Sequence, residues 1–454
     1  MPSVLLISTY DLGRQPFGLA SATAALLAAG ASVVCADLSR DRLIPEQVRG
    51  ASLVGFFLPM HTATRLAVPV IARVRELNPD AAICAFGLYA PLNIELLREL
   101  GVRHVLGAEF EDDLHRLASG AGVNASAGVP RVTFRTPERD GLPPLARYAT
   151  LRIGQDTRVV GYTEASRGCK HTCRHCPIVP VYDGRFRVVP LDLVLADVRA
   201  QVAAGARHVT FGDPDFFNGI RHAMDVVRAV HAACPGISYD VTIKVEHLLE
   251  QAARLPELAA TGCAFVTSAV ESVDDGILER LAKGHTRGDF ERAVALCRDA
   301  GLSLSPTFVA FTPWTTLRGY CELLQELDRL ELVEQVAPIQ LAIRLLVTAG
   351  SRLLDLADIG RLAPVFDATT MTYPWQHPDR AVDELCAEVA RLAGDRGSES
   401  RAATFARIWD AAHAAAGLVP PARVTATAGA LPIAYMSEPW YCCAEPTPAQ
   451  EALI

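Results

Sequence analysis

Long runs of lysine or arginine are missing from this 454-residue chain. Its 43 basic residues stand against 51 acidic ones, a formal net charge of −8 at pH 7. That balance argues against a protein that coats nucleic acid or an anionic membrane surface, so neither is expected as a partner. A leader is not expected either. The opening "MPSVLLISTYDLG" has no charged segment ahead of its apolar run, and that run is only strand-length. No signal peptide and no membrane span are expected. The compact cysteine framework of a small secreted domain is also lacking. Cys35, Cys84, Cys234, Cys263, Cys297, Cys321 and Cys386 stand singly inside apolar segments, as reduced core cysteines do. A reducing cytoplasm follows, which would also protect a reactive metal site.

What is present is a large apolar fraction, 50%, in a chain long enough for two or three domains. Residues 1–120 alternate short apolar runs ("VLLIST", "SVVCADL", "LVGFFLP", "AICAFG", "HVLGAE") with helix-like stretches. Strands this apolar are buried on both faces, so a doubly wound, Rossmann-like parallel sheet is predicted. Ligands of such sheets bind at the carboxyl ends of the strands, which singles out the loops "TYDLGRQPFG" and "LPMHTATR". Residues 121–157 are rich in Gly, Pro and Ser and read as a linker. Residues 158–360 resume the alternation, with strand candidates at 159–166, 208–213, 237–245, 263–272, 302–311 and 338–347. Six such units predict a partial (β/α)6 barrel with its chemistry at the strand carboxyl ends. A clear helix is predicted at 191–204, with Leu191, Val194, Leu195, Val198 and Val202 on one face and Gly205 as the stop. Residues 361–454 form a small C-terminal region, with helices near 380–394 and 402–416, and end in a tail.

Just after the first barrel strand, "GCKHTCRHC" places Cys169, Cys173 and Cys176 in C-x3-C-x2-C spacing with no fourth cysteine nearby. Structural zinc takes four ligands, in paired C-x2-C units or with histidine, and His171 and His175 are tightly constrained between the cysteines. Chance core cysteines fit poorly, because Lys170, His171, Arg174 and His175 make the loop polar. An iron–sulfur cluster on three thiolates is the third reading, and it leaves one iron open for a small molecule.

The C-x3-C-x2-C loop behind the first strand of a partial barrel resembles the radical S-adenosylmethionine (SAM) superfamily. The resemblance implies a 4Fe-4S cluster on Cys169, Cys173 and Cys176, with the amino and carboxylate groups of SAM on the open iron. Reductive cleavage of a SAM carbon–sulfur bond then needs an electron donor such as flavodoxin or ferredoxin. His175 stands where the family usually has an aromatic that packs on adenine. "VTFGDPDFF" resembles the second-strand motif, which implies that Gly212 and Asp213 meet the SAM amino group. "AVESVDDGILERLAKGHT" resembles a family segment that puts Glu271 and Ser272 near the ribose or methionine part of SAM. Lys244 and Arg344, at the third and sixth strands, are alternative anchors for the SAM carboxylate; a strand-end lysine and a buried ion pair are their plain structural readings. A carboxylate embedded in an apolar strand, as Glu271 is, would be costly if unpartnered, which favours a role in the site.

The first domain resembles the cobalamin-binding domain that precedes the barrel in one radical SAM class, with "LPMHTATRLA" and "RDGLPPLARY" as the carriers. The cobalamin signature D-x-H-x-x-G is absent: "YDLGRQPFG" has Asp11 and Gly13 but no histidine, and His61 is the only histidine nearby. The domain therefore either binds cobalamin without that ligand or serves packing alone. "YCCAEP", with Cys442 and Cys443 adjacent, resembles the tail of the CUAEP/CCAEP radical SAM family. The resemblance implies that the pair handles substrate. A vicinal dithiol suits a thiophile such as arsenite. The expected activity is radical transfer of a methyl or 3-amino-3-carboxypropyl group to a small molecule. The alternatives are a hydrogen-abstracting radical SAM oxidoreductase with a structural first domain and a zinc-stabilised binding protein without catalysis.

Overall fold

The structure is a computed structural model that describes residues 3–121, 129–394, 400–424 and 433–438. The first sheet contains β1 (Ser3–Ser8), β2 (Ser32–Asp37), β3 (Leu53–Phe57), β4 (Ala82–Phe86) and β5 (His104–Val105), all parallel in the order β2-β1-β3-β4-β5. Both faces of β3 are buried, which is why it reads as an unbroken apolar run. The chain order reverses between β1 and β3, the place at the carboxyl edge where ligands of such sheets bind. The fifth strand is shorter than predicted, pairing with β4 over two residues.

The second sheet begins with β6 (Thr150–Ile153) and β7 (Asp156–Thr163). A short ribbon of β8 (Ser166–Gly168) and β9 (Phe186–Val188) follows, and then the strands β10 (His208–Phe211), β11 (Ser238–Thr242), β12 (Cys263–Glu271) and β13 (Ser303–Phe308). The last strand, β14 (Ala434–Met436), completes the order β13-β12-β11-β10-β7-β6-β14. β7 and β10 to β13 run parallel and form the partial barrel; β6 is added antiparallel to β7, and β14 antiparallel to β6. The helix predicted at 191–204 spans Leu191–Ala203, and the two C-terminal helices span Arg380–Gly394 and Arg401–Ala415.

Two expectations change. The sixth strand predicted at 338–347 does not form: Pro338–Leu341 is a 3-10 turn, and Arg344 makes one isolated parallel bridge to Phe311. Pro338 brings no N–H, and Gln340 turns its side-chain oxygen to the Phe308 N–H (3.1 Å), taking the donor that a sixth strand would have used. The stretch 121–157 is also more than a linker, since it contains β6 and the start of β7.

Charged groups bind the two sheets together. Arg167, buried beside the cysteine loop, meets Glu111 at 2.6 Å and Glu109 at 3.7 Å from the first domain and Glu164 at 2.7 Å from the barrel. Arg14, from the loop after β1, lies over the Tyr162 ring at 4.7 Å.

Candidate functional site

The cysteine loop is shaped from Gly168 outward. Its φ is +76°, and a Cβ there would lie 2.4 Å from the Tyr182 ring and 2.5 Å from the Arg185 carbonyl oxygen, so only glycine fits. Cys169, Cys173 and Cys176 follow at the carboxyl end of the barrel, with Cys173 buried and the other two half-buried. The Cys176 N–H donates to the Cys173 carbonyl at 3.2 Å. Arg174 clamps the loop to the neighbouring helix: its N–H donates to Leu281 O (2.9 Å) and its guanidinium to the carbonyls of Glu279 and Arg280. Asn218 Oδ1 accepts the Lys170 N–H at 3.2 Å on the other side.

Glu271 ends β12 at a register shift, with φ +71°, a conformation that costs a non-glycine residue about 1–3 kcal/mol and is typical of functional positions. Its carboxylate Oε1 meets His175 Nε2 at 3.1 Å and Lys283 Nζ at 3.3 Å. Burial pushes the Glu271 carboxyl up, but the Lys283 charge and the His175 contact outweigh it and hold the pKa at about 2. Burial would lower the Lys283 ammonium; the Glu271 charge first, and the thiolates of Cys173 and Cys176 after it, raise it instead. A buried cation thus stands beside two of the three thiols.

A second set lies on the other flank. Asp215 Oδ2 is 2.6 Å from His247 Nδ1 and 3.2 Å from His171 Nε2. Burial raises the Asp215 carboxyl, and the two histidines more than reverse that, to about 2. Lys244, two residues past β11, lies 2.8 Å from Glu246 Oε2 and 3.2 Å from His171 Nδ1. Donor atoms of Cys169, His171 and Asp215 all lie within 4.8 Å of one another.

The remaining residues singled out by sequence have structural contacts of their own. Asp213 accepts from the Ala165 N–H (2.9 Å) and the Ser166 hydroxyl, and so holds the strand end that leads into the cysteine loop. Burial pushes its carboxyl up to about 7 despite these bonds. Gly212 leaves room for Tyr162, whose hydroxyl would lie 1.7 Å from a Cβ there. Ser272 is buried and accepts the Asp274 N–H at 3.1 Å. Arg344 pairs with Asp383 (2.6 Å) and lines a separate cavity with His61 and Arg65. Cys442 and Cys443 lie outside the described residues.

The structure therefore gathers His175, Glu271 and Lys244 around the three cysteines. It adds Lys283, Asp215 and His247, which sequence reasoning left out. Lys283 is the lysine of the quoted "LAKGHT", and Asp215 is the second aspartate of "GDPDFF". The Glu271 carboxylate is partnered, so the cost of an unpaired buried charge does not arise for it. The donor set suits an iron–sulfur cluster: three thiols share one loop, and a buried ammonium offsets their charge.

Residues 163–315 match the Radical SAM superfamily. Among curated proteins, the chain is 28% identical over 183 residues to a tRNA-2-methylthio-N(6)-dimethylallyladenosine synthase of Chlorobium luteolum, covering 37% of this chain and 39% of that protein. It is 22% identical over 258 residues to the ribosomal protein uS12 methylthiotransferase RimO of Geobacter sulfurreducens, covering 50% of this chain and 55% of RimO. The chain thus spans about half the length of these relatives or less. Among solved structures, the cobalamin-dependent SAM radical enzyme OxsB with aqua-cobalamin bound superposes with a TM-score of 0.68 at 14% identity, over 91% of this chain and 72% of OxsB. The radical SAM methyltransferase TsrM from Kitasatospora setae, with tryptophan substrate and a SAM analogue bound, gives 0.58 at 21% identity, over 73% of this chain and 72% of TsrM. Over residues 163–315 the chain is therefore similar to the radical SAM superfamily, which uses a 4Fe-4S cluster and SAM, and over 91% of its length it shares the fold of part of OxsB.

Proposed function

We propose that this chain is a radical SAM transferase acting on a small molecule, with Cys169, Cys173 and Cys176 as the ligands of its 4Fe-4S cluster. The observation that carries the reading is the position of these thiols on one clamped loop at the carboxyl end of the barrel, beside the buried Lys283–Glu271 pair. When bound, the cluster supplies the electron that cleaves SAM. The chain's own residues do the holding. Glu271 meets the loop at His175, and Ser272, Gly212 and Asp213 support the strand ends on which SAM would rest. Lys244 and Arg344 remain the alternative anchors for the SAM carboxylate. Lys244 is favoured, since it touches His171 within the cysteine loop. Flavodoxin or ferredoxin is the class of electron donor required.

The first domain is proposed to hold cobalamin at the crevice between β1 and β3. The support is the fold shared with OxsB, set against the missing histidine of the signature. Cys442 and Cys443 are proposed to act on the substrate, as in the CUAEP/CCAEP family, and a thiophile such as arsenite is the class they suit. The support lies in β14. It runs parallel to β7, two strands away, and Ser437 is bonded to Thr150, which pairs with Val159. At Glu438 the described chain runs toward the barrel's carboxyl end, four residues before Cys442 in the sequence.

Anaerobic reconstitution of the triple Cys169→Ala, Cys173→Ala, Cys176→Ala variant tests the assignment, with iron and sulfide assayed. Retention of about four irons per chain overturns it. Incubation of the wild type with SAM and dithionite then reads the route: methylthioadenosine marks aminocarboxypropyl transfer, and 5′-deoxyadenosine marks hydrogen abstraction or the usual cleavage. The convergence of Cys169, His171 and Asp215 favours zinc as the second reading. A colourless anaerobic preparation with stoichiometric zinc would establish that one.

A further inference from the structure

The charge of this chain is unevenly spread. The whole carries a formal net charge of −8, yet residues 167–187, which hold the cysteine loop, have five basic residues against one acidic. Arg167 is already taken by Glu109, Glu111 and Glu164. Of the other four, Lys170 and Arg185 are exposed, and Arg174 and Arg187 are half-buried.

Their contacts leave the charge unopposed. Arg174 donates to the carbonyls of Glu279 and Arg280 at 3.1 and 2.8 Å, Arg185 to the Tyr182 carbonyl at 3.2 Å, and Arg187 to those of Val129 and Pro130 at 2.7 and 3.2 Å. Among the described residues no ion pair joins these three, or Lys170, to a carboxylate. Asp183, the acidic residue of the segment, is answered by Arg352. Glu279 is exposed, and Arg280 beside it has the opposite sign.

These cations surround the cysteine loop. Gly184 packs on it, with a Cβ position 3.5 Å from the Lys170 carbonyl oxygen, which sets Arg185 beside Lys170. The Arg174 carbonyl accepts the Ser351 hydroxyl at 3.2 Å, next to Arg352 and its partner Asp183. Lys170 follows Cys169 in the sequence, and Arg174 follows Cys173. A cationic face on an otherwise acidic protein speeds the arrival of a negatively charged partner and turns it toward that face. A nucleic-acid strand would meet the same charges but needs a longer basic track than these turns supply.

We propose that this face docks a small acidic protein that carries one electron, and that the electron passes there to the cluster; the second statement alone rests on the cluster assignment. The carrier is oxidised by one electron and the cluster reduced by one, and no bond forms or breaks. Lys170 and Arg185 are the exposed docking charges.

The test uses the full chain. Flavodoxin hydroquinone is mixed anaerobically with the reconstituted protein, and the loss of cluster absorbance is followed by stopped flow. Raising salt from about 20 mM to about 200 mM should slow the reduction at least about tenfold. Lys170→Glu and Arg185→Glu should each slow it about tenfold at low salt, while reduction by dithionite, too small to need the face, stays within about threefold. On the cluster-free chain, oxidised flavodoxin should bind at low salt by calorimetry and lose about tenfold in affinity in each variant. Rates and affinities that ignore both salt and the reversals overturn the proposal, and so does a reversal that slows dithionite as much as flavodoxin. Displacement of flavodoxin by an equal concentration of an RNA oligonucleotide would make the face a nucleic-acid seat and overturn it as well. Salt-dependent flavodoxin binding by a chain that holds no iron would support the docking and sink the cluster assignment.

Discussion

Lys283 and His175 meet on a single oxygen: Glu271 Oε1 lies 3.3 Å from the lysine ammonium and 3.1 Å from the imidazole. This ties the strand that ends at Glu271 to the cysteine loop and to the turn after the helix Asp275–Arg280. All three side chains are at most 10% exposed. Lys283→Met keeps the stem and deletes the charge, leaving a buried carboxylate with only the histidine. A loss of about 3–5 kcal/mol is expected in urea unfolding of the cluster-free chain. The double variant Lys283→Met, Glu271→Gln should recover part of it. A single variant as stable as the wild type would show that the pair contributes nothing.

The same carboxylate sets an acid limit. The Glu271 pKa is held at about 2 in the folded chain, against about 4.3 unfolded. A depressed carboxylate stabilises the fold fully above its unfolded value, and that stability is lost as pH falls toward the folded one. Asp215, also held at about 2, adds to the same window. The urea midpoint of the cluster-free wild type should therefore drop between about pH 6 and about pH 3, and Glu271→Gln should drop less over that range. Parallel curves would refute this.

Gly168→Ala should cost iron before it costs the fold. The added methyl meets the Tyr182 ring and the Arg185 carbonyl within 2.5 Å, at a φ of +76° that alanine rarely adopts. The loop that presents Cys169 must shift. Reconstituted iron per chain should fall to a small fraction of wild type, while far-ultraviolet circular dichroism stays the same. Full iron loading would mean that the loop tolerates the shift.

Cys442→Ser, Cys443→Ser should keep brown colour and iron content, still cleave SAM at some rate, and give no product. If a thiophile is the substrate, arsenite should bind the wild type and not this variant. Product formation by a chain cut before Trp440 would make the tail a bystander.

Hydroxocobalamin, offered to the chain and then desalted, should leave a corrin spectrum. Its absence would assign the first domain to packing.

Much of this architecture is legible in the sequence because its signals are local. Strands covered on both faces appear as apolar runs, and the helices Leu191–Ala203, Arg380–Gly394 and Arg401–Ala415 carry their own periodicity. The cysteine loop is visible for the same reason: three ligands fall within eight positions. The misses are matters of partners. The stretch 338–347 has the composition of a strand, but Gln340 spends its side chain on the edge of β13. The motif around Gly212 does not show that Tyr162, fifty residues earlier in the chain, also needs glycine at that position. Lys283 lies in the quoted family-like segment, but only the bend at Glu271 shows which charge it serves.

The pairing of β14 with β6 joins segments almost three hundred residues apart. During synthesis the outer edge of β6 has no strand beside it until residue 434 emerges. At ~5–20 residues per second that wait lasts roughly a quarter of a minute to a minute. For that interval the nascent barrel presents a bare row of backbone donors and acceptors to its surroundings. A cell that makes this protein must either keep the half-finished chain chaperoned or tolerate losing some of it to aggregation, and ribosome stalling late in the message should make that loss worse.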